Sequence, residues 1–93
     1  MTVEAPAGPL VVTVHESAVG RIIVKMHGGT AMERAEVRRR FKARFWRHGQ
    51  ARWLDKARCW SLAPTEGRKV DAWIWDDLPR WVEVDDRRPE RWW

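Results

Sequence analysis

The sequence predicts a small single α+β domain of order β-β-α-β-β-α-β, with a mixed or antiparallel sheet and two helices on one face. Three observations predict it. Short β-branched or alternating runs recur along the chain and are broken by Gly, Pro or charged clusters. Two longer stretches instead repeat apolar residues every four positions, the spacing of one helix face. And 93 residues suffice for one domain with a modest core, but not for two. The domain is therefore assigned to residues 1–93, with ends at 1–8 and 86–93 that are flexible or docked on a partner.

Each element follows from its own residues. Residues 10–14, LVVTV, predict a strand, and residues 21–26, RIIVKM, its hairpin partner. Gly28-Gly29 punctuates. Thr30 with Glu33 three residues on is a capping box, so a helix follows to about residue 46 or 47. Val37, Phe41 and Phe45 share its sheet-facing side, and Gly49 stops it. Residues 51–53 and 58–62 predict two short strands joined by a turn at 54–57. Pro64-Thr65 can cap a second helix, in which Val70, Ile74 and Leu78 repeat at four-residue spacing with Trp73 near the same face. Pro79 ends it, and residues 81–85, WVEVD, alternate as a last strand. Trp73 and Trp75 lie about 200° apart on a helix, so they cannot both face one core.

Composition narrows the class. A hydrophobic fraction of 44% with 33% charged residues is globular, unlike disordered, collagenous or membrane chains. The apolar runs are too short to span a bilayer, and no signal-peptide pattern is expected. The single cysteine, Cys59, excludes an intramolecular disulfide and favours a reducing, cytoplasmic compartment. Charge is uneven: residues 1–29 are neutral, 30–62 carry a net +7, and 63–93 a net −2. Of 18 basic residues only four are Lys. Arginine's planar fork suits phosphate, although a GC-rich genome produces the same bias. The chain also has eight Trp and no Tyr.

Residues 45–64, FWRHGQARWLDKARCWSLAP, resemble the HARP domain, the substrate-recognition module of annealing helicases, and small modules of plasmid primase and mobilisation proteins. Phe45 takes the helix position, Trp53 and Trp60 have the seven-residue spacing, Lys56 and Arg58 are the basic positions, and Leu62 and Pro64 follow. The Asp is displaced one place to Asp55, Pro64 lies one residue late, and Gly49 stands in for the Pro or Gly before the hairpin. The resemblance implies a compact module that recognises DNA structure rather than sequence, with no activity in isolation; no cofactor is expected.

Two readings of the basic middle compete. In one, Arg38, Arg39, Lys42, Arg44, Arg47, Arg52, Lys56 and Arg58 contact phosphate and Trp53 stacks on an unpaired base, Trp60 belonging to the core. In the other, the arginines are a solvated helix face and the tryptophans are core. The first makes the chain a non-enzymatic module for single-stranded or junction DNA with little sequence specificity. A second function class is a protein–protein adaptor or small homo-oligomeric subunit, with Trp75, Trp81, Trp92 and Trp93 as its sticky surface. A third, a metal-dependent nuclease, would use Glu83 and Asp85 on one strand face, or Asp76, Asp77 and Asp86; paired carboxylates at this spacing are common on solvent-facing strands. His15, His27, His48 and Cys59 contain no compact pair of the kind structural zinc sites use, and no metal is expected. Gly28-Gly29 before a capped helix could hold one anion or simply start the helix.

Overall fold

The structure, a computed structural model, describes residues 8–45 and 51–89. It contains β1 (Val11–Glu16), β2 (Ile22–His27), α1 (Ala31–Phe45), β3 (Ala51–Leu54), β4 (Cys59–Leu62), α2 (Gly67–Ala72) and β5 (Glu83–Asp86). This is the α+β order the sequence predicts. The strands form one mixed sheet in the order β3-β4-β2-β1-β5, in which only the β1–β5 pair is parallel.

The topology explains why both helices share a face. Strands β2 and β3 run parallel to each other with β4 between them, so β2–α1–β3 is a crossover. Strands β4 and β5 likewise run parallel, so β4–α2–β5 is another, opposite in both strand sense and direction across the sheet. Two crossovers opposite in both respects and of the same hand must lie on the same face. Accordingly Val37, Phe41 and Phe45 of α1 and Val70 of α2 join Val12, Val14, Ile22, Val24, Trp60 and Leu62 of the sheet in one buried cluster. Phe41 stacks on Trp60 with ring centroids 4.0 Å apart and meets Trp73 edge-on at 5.2 Å. Among the described residues no helix covers the opposite face, which carries Thr13, His15, Ile23, Lys25, Arg52 and Ser61.

Local chemistry sets the boundaries. The capping box forms: the Glu33 N–H donates to Thr30 Oγ1 at 3.1 Å, and the Thr30 N–H donates to Glu33 Oε1 at 2.8 Å. Gly28 and Gly29 both have φ of 70°, and a Cβ at either would lie under 3.0 Å from Pro9 O or Leu10 Cβ. Several element ends differ from the prediction, most by one or two residues. Leu54 belongs to β3 because it pairs with Cys59, which moves the hairpin turn to residues 55–58 and leaves Arg58 left-handed at φ 50°. After Ala72 the second helix widens into a π turn, Trp73–Asp77, where the Leu78 N–H reaches Trp73 O at 3.1 Å. Leu78 itself is extended, as a residue before proline tends to be; Val70 and a fully buried Trp73 enter the core, and Ile74 and Leu78 pack against it half-buried. The last strand begins at Glu83, because Val82 is held in a turn by Pro79 O, and it runs on through Asp86. The charged end placed at residue 86 therefore starts later: the Arg87 N–H donates to Val14 O, and Arg88 bonds Asp71 and Asp86.

Candidate nucleic-acid interface

The basic residues of α1 divide into two stripes with different partners. Arg40 and Arg44 face the π turn. Arg44 makes a two-pronged ion pair with the Asp77 carboxylate, and Arg40 donates to the Asp77 carbonyl at 2.6 Å. Arg39 and Arg40 also clamp Glu36, at 2.6 and 2.8 Å, and their hydrogen bonds hold the Glu36 carboxyl down at about 2. Arg39 and Arg44, predicted phosphate contacts, are thus already engaged by carboxylates.

Arg34 and Arg38, four residues apart, lie on the other side of α1, toward the β3–β4 hairpin. They line a cleft of about 460 Å³ with Met26, Gly28, Trp53, Asp55, Arg58 and Trp60. That volume is within the range of about 300–1,000 Å³ typical of small-ligand sites. Three guanidinium groups face it against one carboxylate. Arg34 is anchored by donating to the Gly28 and Gly29 carbonyls at 3.0 and 2.7 Å. Among the described residues the side chains of Arg38 and Arg58 have neither hydrogen bond nor ion pair. Trp53 forms a wall and is 43% exposed, while Trp60 behind it is 5% exposed. The two indoles meet at 64° with centroids 5.3 Å apart, and Trp53 Nε1–H donates to Asp55 Oδ1 at 3.4 Å. A second, apolar hollow of about 210 Å³ adjoins Trp53, with Lys42 on its rim beside Phe41 and Phe45. Trp53 therefore borders two concave surfaces.

The other predicted residues fall elsewhere. Arg52 lies across from Trp53, on the face opposite the helices, because strand side chains alternate; it pairs with Ser61, whose hydroxyl accepts from Arg21 Nε. Lys56 is exposed in the hairpin turn. Arg47, Trp92 and Trp93 lie outside the described residues. Arg34 was missed, although its four-residue offset from Arg38 was the signal available. The glycine pair does not offer a free anion cradle: the Gly29 N–H donates to Gly8 O at 2.9 Å, and Arg34 covers both carbonyls.

The acids are arranged for pairing. Glu83 and Asp85 do share a strand face, opposite Val11 and Thr13, but Arg87 binds Asp85 at 2.9 Å. Burial pushes the Asp86 carboxyl up, yet hydrogen bonds from Arg88 outweigh this and leave it below its ordinary value. Among the described residues no group of three or more His, Cys, Asp or Glu is arranged to hold a metal ion. Burial pushes the Cys59 thiol up, which disfavours the reactive thiolate. Trp75 is 84% exposed and Trp81 47%. Trp75 borders a groove of about 620 Å³ with Ile74, Leu78, Val82 and Val84 beside β5. No helix among the described residues is long and apolar enough to cross a membrane.

Comparison with protein-family models, curated proteins and solved structures gives no match.

Proposed function

We propose that the chain is a non-enzymatic module that binds single-stranded or junction DNA with little sequence specificity. The observation that carries this reading is the cleft where Arg34, Arg38 and Arg58 converge beside the half-exposed indole of Trp53. Guanidinium groups neutralise phosphates without reading sequence, and an indole stacks on any base. The resemblance of the hairpin to the HARP domain points the same way.

Fluorescence anisotropy with labelled single-stranded and duplex DNA, at low and physiological salt, tests it. Salt-sensitive binding with quenched Trp emission on the single strand is the expected result. No binding at low salt would sink the reading.

A second reading, a protein–protein adaptor or homo-oligomeric subunit, is favoured by the 84% exposure of Trp75 beside a groove of mixed apolar and charged lining.

A further inference from the structure

The sheet ends in two edges of opposite charge. Among the described residues no strand lies beyond β3 on one side or β5 on the other. Strand β5, Glu-Val-Asp-Asp, is acidic; β3, Ala-Arg-Trp-Leu, is basic. The Glu83 N–H donates inward to Leu10 O at 3.0 Å and the Arg87 N–H to Val14 O at 2.7 Å. In a parallel pair alternate residues bond to the same neighbour, so the backbone groups of Val84 and Asp86 face the open edge. An exposed strand edge is a template for another strand.

The side chains specify which strand. On the helix side Val84 lines the groove with Ile74, Trp75, Leu78 and Val82, while its Arg88 is bonded to Asp71 and Asp86, so an incoming strand meets apolar side chains beside Val84. On the opposite side Glu83 and Asp85 present carboxylates, Asp85 already sharing its charge with the exposed Arg87, with which an incoming arginine would compete. The fitting strand alternates an apolar residue toward the helices with a basic one away from them. Strand β3 has this pattern: Trp53 lies on the helix side beside Trp60, and Arg52 lies on the other beside Ser61. The strand senses agree as well. β3 runs antiparallel to β5, so a second copy carried across the sheet without turning over brings β3 antiparallel to β5 with helix sides matched.

We propose that β5 pairs with β3 of a second copy of this chain, extending the sheet head to tail. With Trp53 of the second copy opposite Val84, its Arg52 stands opposite Asp85 with Glu83 diagonal to it. Two-fold self-pairing is disfavoured at both edges: with helix sides kept together, β5 would set Glu83 and Asp85 against the same carboxylates, and β3 would set arginine near arginine. The contact is heterologous, so it leaves a free edge at each end and does not stop at a dimer unless a ring closes. It also buries Trp53, so on the DNA-binding reading assembly and DNA compete for the same indole.

Sedimentation velocity on the full chain at low salt, over a concentration series and with no nucleic acid present, tests the contact separately from DNA binding. The wild type is expected to form dimers and larger species as concentration rises. Val84→Pro removes one outward N–H while leaving the inward ladder, and is expected to sediment as a monomer. Arg52→Glu and the double variant Glu83→Arg/Asp85→Arg are each expected to be monomeric alone and to assemble when mixed in equal amounts. Circular dichroism establishes that each variant is folded, and the charge exchange decides the matter should Val84→Pro not fold. A wild type monomeric throughout, association that stops at a two-fold dimer or survives these variants, or folded charge-reversed partners that stay apart on mixing would overturn the proposal.

Discussion

Trp53 and Trp60 sit seven residues apart in the same hairpin and have opposite fates. Trp60 is sandwiched against Phe41 and is core, whereas Trp53 is left at the rim of the cleft. Trp53→Ala should therefore lower single-strand affinity by about 1–3 kcal/mol, roughly 5- to 150-fold, with little change in thermal stability. Anisotropy and a thermal melt on the same variant check both halves of the statement. Arg58 offers a cleaner charge deletion. Its left-handed backbone suits glycine, so Arg58→Gly should hold or raise stability while weakening binding at low salt. Denaturant unfolding alongside a titration would expose the error if Arg58→Gly unfolded more easily or bound as tightly as the wild type.

At the scale of the element, α1 faces the hairpin on one side and the π turn on the other. The stripe of Arg34 and Arg38 borders the cleft; the stripe of Arg40 and Arg44 is bonded to Asp77. Neutralising one member of each stripe separates the roles. Arg38→Ala should reduce the salt dependence of single-strand binding by about 0.7 in log–log slope, the share of one phosphate contact, with stability unchanged. Arg44→Ala should leave that slope alone and lower the melting temperature, because it strands the half-buried Asp77 carboxylate. A salt titration of both variants tests the division; a changed slope for Arg44→Ala would mean that the ion pair opens to receive phosphate. The sequence shows ten basic residues in this middle stretch, but it does not show which are engaged, because Asp77 is 33 residues from Arg44 and meets it only after the π turn has formed.

For the whole molecule, the paired carboxylates set a pH dependence. Hydrogen bonds from Arg39 and Arg40 lower the Glu36 carboxyl from 4.5 to about 2, and Asp86 is lowered by Arg88 despite burial. A carboxyl depressed in the folded state binds its proton more readily when unfolded. Its contribution is complete above the unfolded value and disappears as pH falls through the folded one. Stability should thus be level above about pH 5 and decline between pH 4.5 and about 2. Glu36→Gln should flatten part of that decline, which melting temperatures across an acid series would show; an unchanged profile would mean these pairs add nothing beyond what solvent screens.

Periodicity and capping chemistry by themselves determined the α+β class, the order of the elements, the start of α1 at Thr30 and the inward face of Val37, Phe41 and Phe45, because these depend on neighbours within a few residues. The short strand runs at 51–53 and 58–62 likewise located the hairpin, in which Trp60 is core and Trp53 lies at the rim. Tertiary structure decided what depends on distant partners. It chose the strand order and gave the sheet one acidic and one basic edge. It widened the second helix at Trp73, engaged Arg44 with the Asp77 carboxylate, and placed Arg34 in the cleft. Arg52 lies apart from Trp53 for a simpler reason: being one position from Trp53 in a strand means facing the other way, and which way is inward is fixed only once the sheet has packed against its helices.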